Sequence, residues 1–179
     1  MKKIIVMSLL VLGILITNTS ASTDSYVGLG YSHMSYGESG FEDVNPSAIS
    51  LKYGKELNKN FAFEVRGAIG VADDTLNVND IKIDVDCDNM LGIYSVGKKY
   101  ITKNFSLNGI IGLTRAEFTA KSSNVLAGTT VENYEVDFSY GLGAGYRFEN
   151  KSLELEYIRY IHRKYFELDA INLNFSFYF

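Results

Sequence analysis

The chain has little of what usually interrupts or braces a fold: among its 179 residues there is one proline, one cysteine and no tryptophan. Proline cannot donate an amide proton to a sheet ladder, so its near absence leaves long strands free to run. The lone Cys87 excludes an internal disulfide and is read as a filler position in a strand. Long apolar runs are missing too. The longest, Ile4 to Ile16, falls short of the ~20 residues a helix needs to cross a bilayer. Lys2 and Lys3 precede it and the small polar stretch Thr17 to Ser22 follows, which is the three-part pattern of a secretory signal peptide. Small residues at Thr19 and Ala21 place the expected cleavage after Ala21, with Ser22 the neighbouring choice. Residues 1–21 are thus read as a cleaved signal and 22–179 as one mature domain. No cysteine stands at that junction to carry a lipid. Removing Lys2 and Lys3 leaves 15 basic against 21 acidic residues, a net charge of −6. An acidic exported protein is a poor match for nucleic acid.

What the chain does have is tyrosine, phenylalanine and glycine, in numbers of 13, 11 and 16. They are arranged at a period of two. In Tyr134 to Phe148, read as YEVDFSYGLGAGYRF, the residues Tyr134, Val136, Phe138, Tyr140, Leu142, Ala144, Tyr146 and Phe148 share one face. Glu135, Asp137, Ser139, Gly141, Gly143, Gly145 and Arg147 share the other, because successive strand side chains point to opposite sides. This strand far exceeds the usual roughly five or six residues. Its aromatic ends mark it as a bilayer-crossing strand, for which about nine to eleven tilted residues suffice.

The same alternation recurs to the last residue. Strands are expected over Ser25 to Tyr36, Ala48 to Leu57, Phe61 to Ala72, Ile81 to Tyr100 and Phe105 to about Phe118, with two more after Phe148. Val27, Leu29, Tyr31, Ile49, Leu51, Tyr53, Phe61, Phe63, Val65, Tyr94, Val96, Tyr100, Leu153, Leu155, Tyr157 and Ile161 are assigned to apolar faces. Lys55 and Arg159 break that pattern and are expected to reach along the surface to an interface. Short turns after Lys59, Lys103 and Lys151 recur at intervals of 44 and 48 residues, each interval holding two strands and one longer loop. All the short turns then fall at one end of the sheet. Among the longer connections, Asp73 to Asp80 and the polar stretch Thr119 to Asn133 are read as loops, and Ile81 to Asp86 as a strand end projecting beyond the membrane.

A sheet with one oily side can hide it inward in water or outward in lipid. The opposite face collects Lys52, Glu56, Glu64, Arg66, Lys99, Arg147, Glu154 and Glu156 among glycines and serines, a set whose charges can pair within a narrow tube. With an export signal ahead of it, the sheet is read as closed on itself, since backbone groups in lipid have no water to bond and an open edge is not tolerated. The fold class is an all-β, transmembrane up-and-down antiparallel barrel of about eight strands, with short periplasmic turns and longer extracellular loops. Side chains nearly fill so small a tube.

These residues resemble the eight-stranded outer-membrane barrels of Gram-negative bacteria, the group that includes the OmpA membrane domain, OmpX-like proteins and opacity antigens. The likeness spans the whole mature chain and is sharpest at Ile171-Asn172-Leu173-Asn174-Phe175-Ser176-Phe177-Tyr178-Phe179. It implies that Leu173, Phe175, Phe177 and Phe179 form the terminal signal read by the barrel-assembly machinery and that both chain ends are periplasmic. It also implies residence in the outer membrane as a monomer among lipid and lipopolysaccharide, after escort by periplasmic chaperones. Full-length OmpA-type proteins carry a peptidoglycan-binding domain after the barrel; with Phe179 last, no cell-wall tether is expected.

The function expected is that of a non-enzymatic surface protein whose loops meet the environment or a host partner, its lumen closed by polar and charged side chains. The extracellular acidic residues Asp73, Asp74, Asp80, Asp84 and Asp86 lack the ordered spacing of a calcium loop, so no metal or other cofactor is assigned. The alternative is a narrow solute or ion channel. A lipid-modifying enzyme is the remote alternative: only His33 and His162 could centre a catalytic triad, no serine motif accompanies either, and no catalytic residue is assigned.

Overall fold

The computed structural model describes residues 25–38, 44–72, 74–78, 81–122, 130–164 and 166–179. The expected signal peptide lies outside them, as do Asp73 and Asp80. Nine strands form: β1 (Ser25–Glu38), β2 (Ser47–Asn58), β3 (Phe61–Ala72), β4 (Asp74–Val78), β5 (Ile81–Tyr100), β6 (Phe105–Ser122), β7 (Thr130–Phe148), β8 (Lys151–His162) and β9 (Phe166–Tyr178). Among the described residues there is no helix. The sheet closes twice over. β1 pairs with β9, from Tyr26 opposite Tyr178 to Glu38 opposite Phe166, and β3 pairs directly with β5, from Phe61 opposite Gly97 to Ile69 opposite Asn89. Eight antiparallel strands therefore make an up-and-down ring, and β4 continues the line of β3 above it along the same edge of β5.

Local chemistry makes the tight turns. The Asn58 side-chain oxygen accepts the amide protons of Asn60 and Phe61 at 2.8 and 3.1 Å, and the Thr102 hydroxyl accepts those of Asn104 and Phe105 at 3.3 and 3.0 Å. Between β7 and β8 the turn is Glu149-Asn150, with Glu149 in the left-handed region at φ 55°. A left-handed residue there lets a two-residue turn follow the twist of the strands it joins. These turns share one end of the barrel, and the longer connections share the other.

At that other end three strands overshoot. β5, β6 and β7 are 20, 18 and 19 residues long, against 12 to 14 for the remaining ring strands. β6 and β7 stay paired up to Lys121 opposite Thr130, whereas β8 leaves β7 at Tyr140 opposite Arg159. A four-stranded sheet, β4 to β7, thus rises past the rim. The expected acidic loop is mostly strand, which corrects the reading of Asp73 to Asp80: once Ile81–Val85 is extended, its outer backbone groups need partners, and Asp74–Val78 supplies them. The loop expected over Thr119 to Asn133 is also shorter. β6 runs on to Ser122 and β7 starts at Thr130, with 123–129 outside the described residues.

The apolar stripes face outward. Leu29, Ile49, Phe63, Ile93, Ile111, Phe138, Leu142, Leu155, Leu173 and Phe177 are all exposed. Two assignments from alternation are overturned. Tyr94 and Val96 point into the lumen while Lys99, expected there, is exposed, and Lys98 takes the inward place. Tyr94 goes in because its ring lies along the wall over Gly92 and the facing Gly112, with its hydroxyl 2.5 Å from that of Thr114. Ile161 is fully buried rather than lipid-facing. A bulge between Arg159 and Ile161 shifts the register with β9 and turns the side chain inward.

Candidate functional site

The lumen is filled in two storeys. The lower one, toward the tight turns, is a ladder of alternating charge that joins strands not adjacent in the ring, β8 to β2 and β3. Glu154 of β8 meets Lys52 of β2, and Lys52 lies 3.7 Å from Glu64 of β3. Arg66 donates to Glu64 at 2.6 Å and grips Glu156 with two nitrogens at 2.6 and 3.1 Å. Glu64 also accepts a hydrogen bond from the Tyr26 hydroxyl, and Glu156 one from Asn174 at 3.0 Å. Below this chain, Glu56 is shared by Lys98 at 3.0 Å and Arg147 at 3.1 Å. The Arg147 guanidinium sits 3.8 Å over the Tyr178 ring, and Lys98 5.0 Å over Tyr26. Four carboxylates thus meet four bases, Lys52, Arg66, Lys98 and Arg147, and the stack is neutral. Neutrality is what permits such burial, because an uncompensated charge at these depths would cost several kcal/mol, about 3–5 when a partner is removed.

Lys52, Glu56, Glu64, Arg66, Arg147, Glu154 and Glu156 are brought together here; Lys99 is not. Lys98 escaped sequence reading because the apolar look of Tyr94 and Val96 put the wrong face of β5 outward. The signal that could have found it is Gly112, the cross-strand partner of Tyr94, whose missing side chain makes room for an inward ring and so sets the parity that turns Lys98 inward.

The upper storey is apolar, which the alternation alone does not reveal. Met34, Met90, Ala116, Phe118, Ile158, Ile161, Leu168 and Ala170 are buried inside the ring, with Cys87 among them. Rings of Tyr36, Phe118 and Phe166 close over them, centroids 4.9 to 5.7 Å apart. Between the storeys run hydroxyl and amide bonds: Thr114 to Ser139 at 2.6 Å, Ser139 to the Tyr160 carbonyl at 2.9 Å, and Ser32 to Asn172 at 2.6 Å.

On the outer surface at the upper rim, Arg159 pairs with Asp169 at 2.8 Å and Glu167 at 3.3 Å. This resolves the charge that broke the apolar stripe of β8. His33 is exposed, and exposed His162 contacts Glu167 at 2.8 Å. Neither histidine has a nucleophile beside it in the contacts described. Of the acidic residues, Asp74 accepts the Asn45 amide proton at 2.8 Å, while Asp84 and Asp86 lie in β5 opposite Thr75 and Thr119. Leu173, Phe175 and Phe177 of β9 are exposed, as is Phe179 just past its end.

A closed ring with an oily perimeter and a self-neutralised interior defines a β-barrel integral to a membrane. The chain matches the family model described as an outer membrane protein beta-barrel domain over residues 7–179, and it belongs to that family. Its home is the outer membrane. Solved structures share the fold. The attachment invasion locus protein Ail of Yersinia pestis, determined in complex with the heparin analogue sucrose octasulfate, is 19% identical with a TM-score of 0.63, covering 87% of this chain and 98% of its own. Neisserial surface protein A is 13% identical with a TM-score of 0.66, covering 90% and 100%. OprG of Pseudomonas aeruginosa is 10% identical with a TM-score of 0.57, covering 86% and 96%. Among curated proteins, no sequence matches.

Proposed function

We propose that this barrel is a non-enzymatic surface protein that engages a partner outside the cell by strand addition to its projecting sheet. The observation that carries the reading is the overshoot of β5, β6 and β7 together with β4. In the strand pairings described, β4 pairs only with β5, and β7 above Tyr140 pairs only with β6. β4 thus has one edge without a strand partner, a template for an incoming strand, whereas the β7 edge is met by Arg163, which donates to the Val136 carbonyl at 2.8 Å. The charge nearby selects the partner. Residues 73–88 hold six aspartates and one lysine, so a basic extended segment is favoured and a polyanion such as a sulfated glycan is opposed. The barrel, once assembled through its terminal Leu173, Phe175, Phe177 and Phe179, serves as a sealed pedestal.

The test is excision of residues 75–84, replaced by Asn-Gly, which joins Asp74 to Val85 where they already face each other. The variant should keep heat-modifiable migration on a detergent gel yet lose adherence of expressing cells to host cells or matrix. Undiminished adherence by a correctly folded variant would sink the reading.

A second reading, a small-ion channel, is favoured by the way Glu56 is shared between Lys98 and Arg147, since exchange of partners could open the lower storey. Planar-bilayer conductance of the wild type decides it: steady openings support the channel, silence the pedestal.

A further inference from the structure

On the lipid-facing belt, two facing positions of adjacent strands both lack side chains. Gly97 of β5 faces Gly109 of β6, and the pair is flanked by Phe61 of β3 on one side and Leu142 of β7 on the other. With Leu107 beside them, these residues bound an outward groove of about 280 Å³. Its floor is bare backbone. A methyl group placed on Gly109 would meet nothing within 4 Å, and one on Gly97 only the Phe61 ring at 3.8 Å and the Gly109 carbonyl at 3.9 Å. Leu142 stands 73% exposed beside this gap, the most open of the large apolar side chains described. The groove ends at Lys99, which is exposed, sits opposite Leu107 and makes no ion pair among the described residues.

Depth decides what can occupy it. Gly97 lies three residues above Tyr100, where β5 ends at the tight-turn, periplasmic side, and Phe61 opens β3 at the same level. The groove therefore starts in the headgroup zone of the periplasmic leaflet and opens upward into hydrocarbon. Water is not there to be expelled, so filling such a gap is driven by van der Waals contact rather than by the hydrophobic effect. A flexible hydrocarbon chain fits the shallow, side-chain-free floor. A cation at the headgroup end adds a partner for a phosphate.

We propose that this groove is a binding site for one phospholipid of the periplasmic leaflet, with an acyl chain on the Gly97–Gly109 floor and the phosphate at Lys99. The full mature protein, folded into vesicles of phosphatidylethanolamine and phosphatidylglycerol and released for native mass spectrometry, should retain one phospholipid per barrel. Gly109→Leu fills the groove and should lose the retained lipid while heat-modifiable migration is unchanged. Lys99→Gln should keep some lipid and lose any preference for phosphatidylglycerol. Should Gly109→Leu not fold, the double wall variant Leu107→Ala/Leu142→Ala decides in its place by the same loss. Equal retention in wild type and Gly109→Leu would overturn the proposal. So would a dimer that Gly109→Leu dissolves, for then a second copy of the chain is the occupant.

Discussion

At the scale of single residues the barrel depends on charge held where water is scarce. Arg66 is the hub, because it hydrogen-bonds two carboxylates of the charge ladder, Glu64 and Glu156, and holds the second with two nitrogens. Replacement by leucine leaves Glu156 with only the Asn174 amide among the bonds described. Arg66→Leu should therefore destabilise the folded barrel by about 3–5 kcal/mol, the penalty of orphaning a buried charge. The double variant Arg66→Leu/Glu156→Leu should recover much of that loss, since the orphan is gone. Urea unfolding from lipid vesicles, followed by loss of heat-modifiable migration, reads both. A double variant no better than the single one would show that the orphaned Glu156 is not what destabilises Arg66→Leu. The sequence let seven of these eight charges be found, because a period-two face is legible wherever the opposite face is plainly apolar. The eighth, Lys98, was misplaced for a physical reason: hydrophobicity alone does not distinguish a tyrosine that greets lipid from one that fills a lumen.

At the scale of elements, that distinction lies in the cross-strand neighbour. Tyr26 faces Gly54 and Tyr94 faces Gly112, and in each pair the ring folds over a glycine whose missing side chain makes room. A Cβ on Gly54 would lie 2.2 Å from the Tyr26 ring, so Gly54→Ala must push the ring off the wall and strain its bond to Glu64. The cost should be about 1–3 kcal/mol, typical of overpacking. Gly109→Ala, on the outward floor with nothing near, should stay within about 0.5 kcal/mol of wild type. Equal effects in the same unfolding assay would refute the wall-packing account. Strand parity was readable along β1 and β3 because their alternation is unbroken, and along β2 in spite of Lys55. It failed above Arg159, where an added residue in β8 turned Ile161 inward; a bulge depends on the partner strand and leaves no mark in local periodicity. The projecting sheet was half visible, as the alternation of Ile81 to Asp86. Its partner β4 was hidden under the acidic residues that made it look like a loop.

At the scale of the whole molecule, the two storeys of the lumen divide the labour of closing it. The lower ladder is polar and built of charges that share partners. The upper storey is apolar and closed by Tyr36, Phe118 and Phe166, and an apolar constriction resists ions by refusing to wet. Breaking one storey should therefore leave the other in force. Arg147→Ala, which frees Glu56 to Lys98 alone, should remain silent in planar bilayers. Phe118→Ala/Phe166→Ala should also be silent, because the charge ladder below is intact. The triple variant should conduct, and its current should be carried mainly by cations, since removal of Arg147 from a neutral stack leaves one carboxylate in excess. Openings in Arg147→Ala alone would mean that the aromatic closure leaks and that the channel reading is the better one. Silence in the triple variant, with the fold intact by gel migration, would mean that the remaining ladder from Lys52 to Glu156 seals the barrel by itself.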